Sequence, residues 1–137
     1  MRIRQALTIA ASGAALLSIV GASPAATSGG WRIVARASSL TGPAGTAEIG
    51  TVRVRHPHAL AIRVFAPPQR SMVADWIIVC SPSRKIVGHF RWRSTSAPMF
   101  HVLRRGLGAP RACDVVVSAQ FNGLVLSGEI RLQLLQR

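Results

Sequence analysis

The residues of this chain that could do chemistry are few, and one type dominates them. Among 137 residues there are four carboxylates, four histidines, two cysteines and no tyrosine, against 17 Lys and Arg, for a formal charge of +13. General acid–base and metal chemistry draw on the groups that are scarce here. His56-Pro57-His58 is the one close histidine pair, and a tight turn would aim both imidazoles at a soft ion such as copper or zinc. Two ligands make a weak site, because structural zinc generally takes four protein ligands, so the turn reads as solvated and no metal site is expected. A Ser/His/Asp triad can be written with Asp75 or Asp114, but no Gly-x-Ser-x-Gly elbow supports it. Those two acids, with Glu48 and Glu129, read as salt-bridge partners for local arginines rather than as a paired-carboxylate site. The expectation is a non-enzymatic protein without a cofactor.

Arginine is the residue in surplus: 16 of the 17 cationic side chains are Arg, and Lys85 is the single Lys. A guanidinium presents a fork that fits phosphate and carboxylate oxygens. The arginines that suggest function are Arg32, Arg36, Arg53, Arg55, Arg63, Arg91, Arg93, Arg104 and Arg105, several of them alternating on predicted outer sheet faces; if Arg53/Arg55 and Arg91/Arg93 lie on neighbouring strands, they would form a cationic grid. Such a grid would hold an anionic polymer nonspecifically, whether wall teichoic acid, another acidic envelope glycan or nucleic acid. A GC-rich genome also writes arginine at neutral surface positions, so a solvated, composition-driven face is the competing reading. No nucleic-acid fingerprint accompanies the charge, since aromatics are 5% of the chain. Two further functions stand as alternatives. One is a secreted proteinase inhibitor presenting Pro67-Pro68-Gln69-Arg70-Ser71 as a stiff loop with a basic tip; the other is a cationic antibacterial protein.

The positioning elements follow from patterning. Arg2 and Arg4 precede an uncharged run over 6–22, closed by the small residues Ser23 and Ala25, which is secretory signal anatomy. Residues 1–25 are therefore expected to be removed, leaving a flexible segment 26–30 and one domain over 31–137. No later apolar run reaches 18 residues, so no membrane span is expected after cleavage and the product belongs outside the cytoplasm. There, Cys80 and Cys113 are expected to form a disulfide. Closing a loop of about 34 residues would stabilise the fold by roughly 3–4 kcal/mol.

From Trp31 onward the apolar period is two, the signature of half-buried strands. Strands are predicted over 31–36, 51–55, 59–65, 75–80, 86–93, 100–104, 112–121 and 124–134, with turn formers between them. In 86–93, Ile86, Gly88, Phe90 and Trp92 share the inward face. Segment 75–80 is apolar on both registers, which predicts a central strand covered on both sides. Asn122-Gly123 predicts a type I′ hairpin pairing the last two strands. The fold class is an all-β, antiparallel β-sandwich, with Cys80 to Cys113 expected to run between its two sheets.

The order Cys80, Trp92, Cys113 resembles an immunoglobulin-like sandwich in broad geometry. It departs in having Arg at 111, where a tyrosine corner has tyrosine, and several strands before Cys80. The strand Cys-Asp-Val-Val-Val-Ser-Ala-Gln (113–120) and the segment Ser-Gly-Glu-Ile-Arg-Leu (127–132) resemble small uncharacterised secreted proteins of high-GC bacteria. That resemblance implies export and no activity.

Overall fold

The computed structural model describes residues 28–40, 45–123 and 128–137; the signal reading of residues 1–25 lies outside them. The chain divides into two units, residues 1–32 and 33–137. In the first, Ser28–Gly30 forms a short 3-10 segment kinked at Gly29, whose φ of 74° is non-helical. The second holds the sandwich.

Among the described residues, period-two patterning produces eight strands: β1 (Arg32–Ser38), β2 (Thr46–Arg55), β3 (Leu60–Phe65), β4 (Ser71–Cys80), β5 (Arg84–Arg93), β6 (Met99–Arg104), β7 (Ala112–Phe121) and β8 (Arg131–Gln136). They form two four-stranded sheets, of order β1-β8-β3-β6 and β2-β7-β4-β5. First pairs with last, second with seventh, third with sixth and fourth with fifth. Such nesting is one long hairpin rolled on itself, so that successive rungs fall alternately into the two sheets. Two further pairings, β3 with β8 and β4 with β7, close each sheet. This is the connectivity of a jelly roll, one of the double-sheet solutions to the problem of exposed strand edges.

Alternation then decides what is buried. Leu60, Ile62 and Val64 of β3, with Leu132 and Leu134 of β8, face Met72, Trp76 and Ile78 of β4 and Val115 and Val117 of β7 in one core cluster. Each such aliphatic side chain removed from water contributes about 1.5–3 kcal/mol before chain entropy is counted. Strand β5 runs along an edge, and its inward residues Ile86, Phe90 and Trp92 are only half-buried against that core.

Three expectations change at this level. The disulfide exists, but Cys80 and Cys113 are direct register partners on β4 and β7, so it links neighbours within one sheet. Both cysteines still point into the core, where they are buried; alternation fixed their facing, and strand order fixed their partnership. The Asn122-Gly123 turn does not pair the last two strands. Strand β7 lies between β2 and β4, whereas β8 starts at Arg131 and lies between β1 and β3, so the segment after Gly123 crosses between sheets. Strand β4 is central as expected but covered on one side only, since Ile77 and Val79 on its outward register are exposed. The immunoglobulin-like likeness is one of layered geometry; the strand order is the nested one above.

Gly88 shows how tightly the inward face is fitted. It sits opposite Trp76, whose indole lies across it, and a Cβ there would stand 2.5 Å from Cζ2 of that ring. Gly88→Val should lower stability by about 1–3 kcal/mol, read as an earlier urea midpoint at unchanged slope. Gly50→Ala, where a Cβ meets nothing within 4 Å, should move the midpoint little. Replacing both cysteines by serine should cost about 3–4 kcal/mol, given the separation of 33 residues between them.

Candidate functional site

The four arginines singled out by spacing do not form a grid. Arg53 and Arg55 lie on β2, and Arg91 and Arg93 on β5; these strands are the two edges of the disulfide-bearing sheet, with β7 and β4 between them. Three strand spacings separate them, about 14 Å. Register adds to the distance, because Arg53 falls in the row of Asp114 and Val79, whereas Arg91 falls in the row of Val73 and Gln120. All four are exposed, on one face, at opposite corners. Arg53 Nε pairs with Asp114 Oδ1 at 3.4 Å, as expected for that acid.

Arginines do converge on the outer face of the other sheet. With Leu132 and Leu134 in the core, alternation turns Arg131 and Gln133 of β8 outward; in the same way Leu60, Ile62 and Val64 turn Arg63 and Phe65 of β3 outward. Pairing sets Arg131 opposite Phe65, Gln133 opposite Arg63, and Arg63 opposite Phe100 of β6. The Arg131 guanidinium lies over the Phe65 ring, 4.5 Å from its centroid, and that of Arg63 lies 5.8 Å from the Phe100 centroid. Arg63 Nη1 also donates to Gln133 Oε1 at 3.1 Å. Aromatic faces and an amide thus hold the guanidiniums in place without consuming their charge.

Arg131 stands between two depressions. One, of about 250 Å³, is lined by Phe65, Pro98, Glu129 and Arg131; the other, of about 310 Å³, by Arg36, Ser38, Arg131 and Gln133. Gly128 lets the chain approach here, since a Cβ on it would lie 2.5 Å from Pro67 Cγ, and its φ of 116° suits glycine. The one carboxylate at this site, Glu129, accepts a hydrogen bond from the Ser38 hydroxyl at 2.8 Å. Three guanidiniums against one engaged carboxylate leave a net cationic surface. Arg131 was outside the arginine set drawn from the sequence, although the alternation Ile130-Arg131-Leu132-Gln133-Leu134 marks it as outward. Its face follows from strand partnership: β8 lies between β1 and β3, not beside β7 as a hairpin at Asn122-Gly123 would require.

Phe100 also borders a third depression, of about 250 Å³, lined by Phe90, Trp92, Arg93 and Met99. Arg36 and Arg63 of the wider arginine set drawn from the sequence thus join this face, and of the four grid arginines the fold brings Arg93 to its margin. The slot lies at the open edge between β5 and β6, where the two sheets are joined by rings. Phe90 stacks on His101 at 4.0 Å and on Trp92 at 5.9 Å, and Trp76 meets His101 at 5.6 Å.

The other histidines lie elsewhere: His89 points outward on β5, and His56 and His58 are exposed around buried Pro57. Among the described residues no group of three or more His, Cys, Asp or Glu could hold a metal. The loop from Pro67 to Ser71 is clipped by Ser94, which is buried. Its Oγ accepts from Arg70 N–H and donates to the Pro67 carbonyl, and its N–H donates to the Arg70 carbonyl at 2.9 Å. The backbone of Arg70 is thus engaged with its own domain, whereas a proteinase would need it free. Among the described residues no helix is long and apolar enough to cross a membrane. Comparison with protein-family models, curated proteins and solved structures gives no significant match in any of the three.

Burial holds the pKa of His101 below its usual 6.5, because the charged imidazolium would lose hydration among these rings. Above pH 6.5 the ring is neutral in folded and unfolded chains alike, so this stability is fully present. As pH falls below 6.5 the unfolded chain takes up the proton first, and stability is lost until the folded-state pKa is passed. Denaturation midpoints should therefore fall between pH 7.5 and pH 5. His101→Phe, which keeps the stack on Phe90, should flatten that fall.

Proposed function

We propose that this is an exported, non-enzymatic protein that binds an anionic polymer of the envelope or its surroundings through the face built on Arg36, Arg63 and Arg131. The observation that carries this reading is the seating of Arg131: a guanidinium held over Phe65, between two depressions, in a cluster whose single carboxylate is already engaged. A preorganised cation loses little side-chain entropy on binding, and Arg forks match phosphate, sulfate and carboxylate oxygens. The exposed Phe100 ring adds an apolar rest for the carbon skeleton of an acidic glycan. A cystine within a small sandwich suits an oxidising compartment.

Titrating the disulfide-intact chain against teichoic acid, heparin and single-stranded DNA at two salt concentrations tests this directly. Binding should be measurable at low salt and weaken steeply at the higher one. Arg63→Ala with Arg131→Ala should reduce affinity and lower the salt slope by about one unit for each arginine removed. Arg53→Ala with Arg91→Ala, at the far corners of the other sheet, should do much less. Binding indifferent to salt, or none at low salt, would refute the reading.

A further inference from the structure

The outer face of the disulfide-bearing sheet carries an aliphatic stripe that no part of the described sandwich covers. Ile77 is the register partner of both Val87 and Val116, and Val79 lies one step along the same face. Val87 is 64% exposed, and Ile77 and Val79 are each 41% exposed. A contiguous aliphatic patch of this kind marks an interaction surface more often than an isolated exposed side chain does.

The rows on either side of the stripe differ in charge. On one side, Arg53, Asp114, Val79 and Lys85 run across the four strands, with Asp114 taken up by Arg53. On the other side run Glu48, Ser118, Asp75 and His89. The first row is net cationic and the second contains two carboxylates. This stripe between opposite charges is self-complementary under only one of the two simple twofold arrangements of stacked sheets. An axis along the strands would place each row on its own copy, cation on cation. An axis along the stripe exchanges the rows, so that Arg53 faces Glu48 of the other copy and Lys85 falls diagonally across from Asp75, each contact occurring twice. Both axes leave the sheets aligned as sandwich packing prefers, so charge is what selects between them.

We propose that this face is occupied by a second copy of the chain, in an isologous dimer whose axis follows Val116, Ile77 and Val87. Four strands at about 4.8 Å and ten residues at about 3.3 Å give a face on the order of 600 Å², comparable with the roughly 800 Å² per partner of standard interfaces. The β-bulge between Ile49 and Val52 lies in the stripe row of β2, so exposed Gly50 and Thr51, rather than a large apolar side chain, stand at that end of the stripe. The arginine–phenylalanine face lies on the other sheet, so it stays open in both copies. The dimer does not depend on the anion-binding reading.

Sedimentation of the disulfide-intact chain, without any polyanion, is the test. The native chain should shift from monomer to dimer with rising concentration. Val87→Glu, at an exposed position that leaves the core untouched, should weaken association by at least about tenfold. Glu48→Arg, which sets like charges opposite one another, should weaken it at low salt by about tenfold, and adding Arg53→Glu to that variant should restore it. A native chain monomeric at every accessible concentration would overturn the proposal. So would a dimer that Val87→Glu leaves intact, or one in which the double charge exchange is no better than Glu48→Arg alone.

Discussion

The pairing of β4 with β7, locked at Cys80 and Cys113, is the constraint on which the rest of the structure depends. These are the two inner strands of their sheet, and their register runs unbroken from Met72 opposite Phe121 to Cys80 opposite Cys113. A slip of one residue would carry either Met72, Trp76 and Ile78 of β4 or Val115 and Val117 of β7 out of the core, and turn Asp75 or Asp114 into it. Each buried carboxylate would then cost several kcal/mol unless it found a partner. The cystine limits such slips, because a bond between direct partners holds only in the native register. It also closes 33 residues of separation, and so reduces the conformational cost of the long-range pairings that nesting demands.

Once register is fixed, the two outer faces acquire different characters. Glu48, Asp75 and Asp114 all fall on the outward side of the disulfide-bearing sheet, among its aliphatic stripe and edge cations. Glu129 alone accompanies the arginines of the other sheet, and Ser38 engages it. One face therefore sets five cations, Arg53, Arg55, Lys85, Arg91 and Arg93, against three carboxylates around an apolar stripe, whereas the other sets its arginines against a single engaged carboxylate. Exposed ion pairs such as Arg53 with Asp114 contribute at most about 1 kcal/mol each. The distribution consequently matters more for the field each face presents than for stability.

The strands themselves were legible because a period of two is local: it can be read from a segment such as 86–93 without knowing its partner. The inward set Ile86, Gly88, Phe90 and Trp92 lies where alternation puts it. Partnership is not local. Nothing in Arg53, Arg55, Arg91 and Arg93 says that two strands separate them, and nothing in 131–136 says that its neighbours are β1 and β3 rather than β7. Asn122-Gly123 permits a tight turn, yet a permitted turn does not dictate the sheet that the chain enters next. The same gap explains the cystine: two inward cysteines fit a bridge across the core or along one sheet equally well, and only strand order separates these cases. It explains Arg131 too, which was outward by pattern but belonged to a face assembled from β3, β6 and β8.

Because the cystine lies within one sheet, no covalent link among the described residues joins the two layers other than the chain itself, and their cohesion comes from packing. At the centre this is secure, since Leu60, Ile62, Leu132 and Leu134 meet Met72, Ile78, Val115 and Val117 with almost no exposure. At the open edge between β5 and β6 the inward residues are half-buried, and the layers meet through the Trp76, Phe90 and His101 rings. Offset aromatic contacts add about 0.5–1.5 kcal/mol beyond their buried area, which is valuable where little aliphatic surface is available. A histidine at this seam makes its strength depend on protonation: a neutral imidazole stacks as an aromatic, whereas an imidazolium must be desolvated to remain. The edge that borders the Phe100 and Arg93 slot is thus less secured by aliphatic packing than the centre, and the ring stack contributes to how firmly that margin of the cationic face is held.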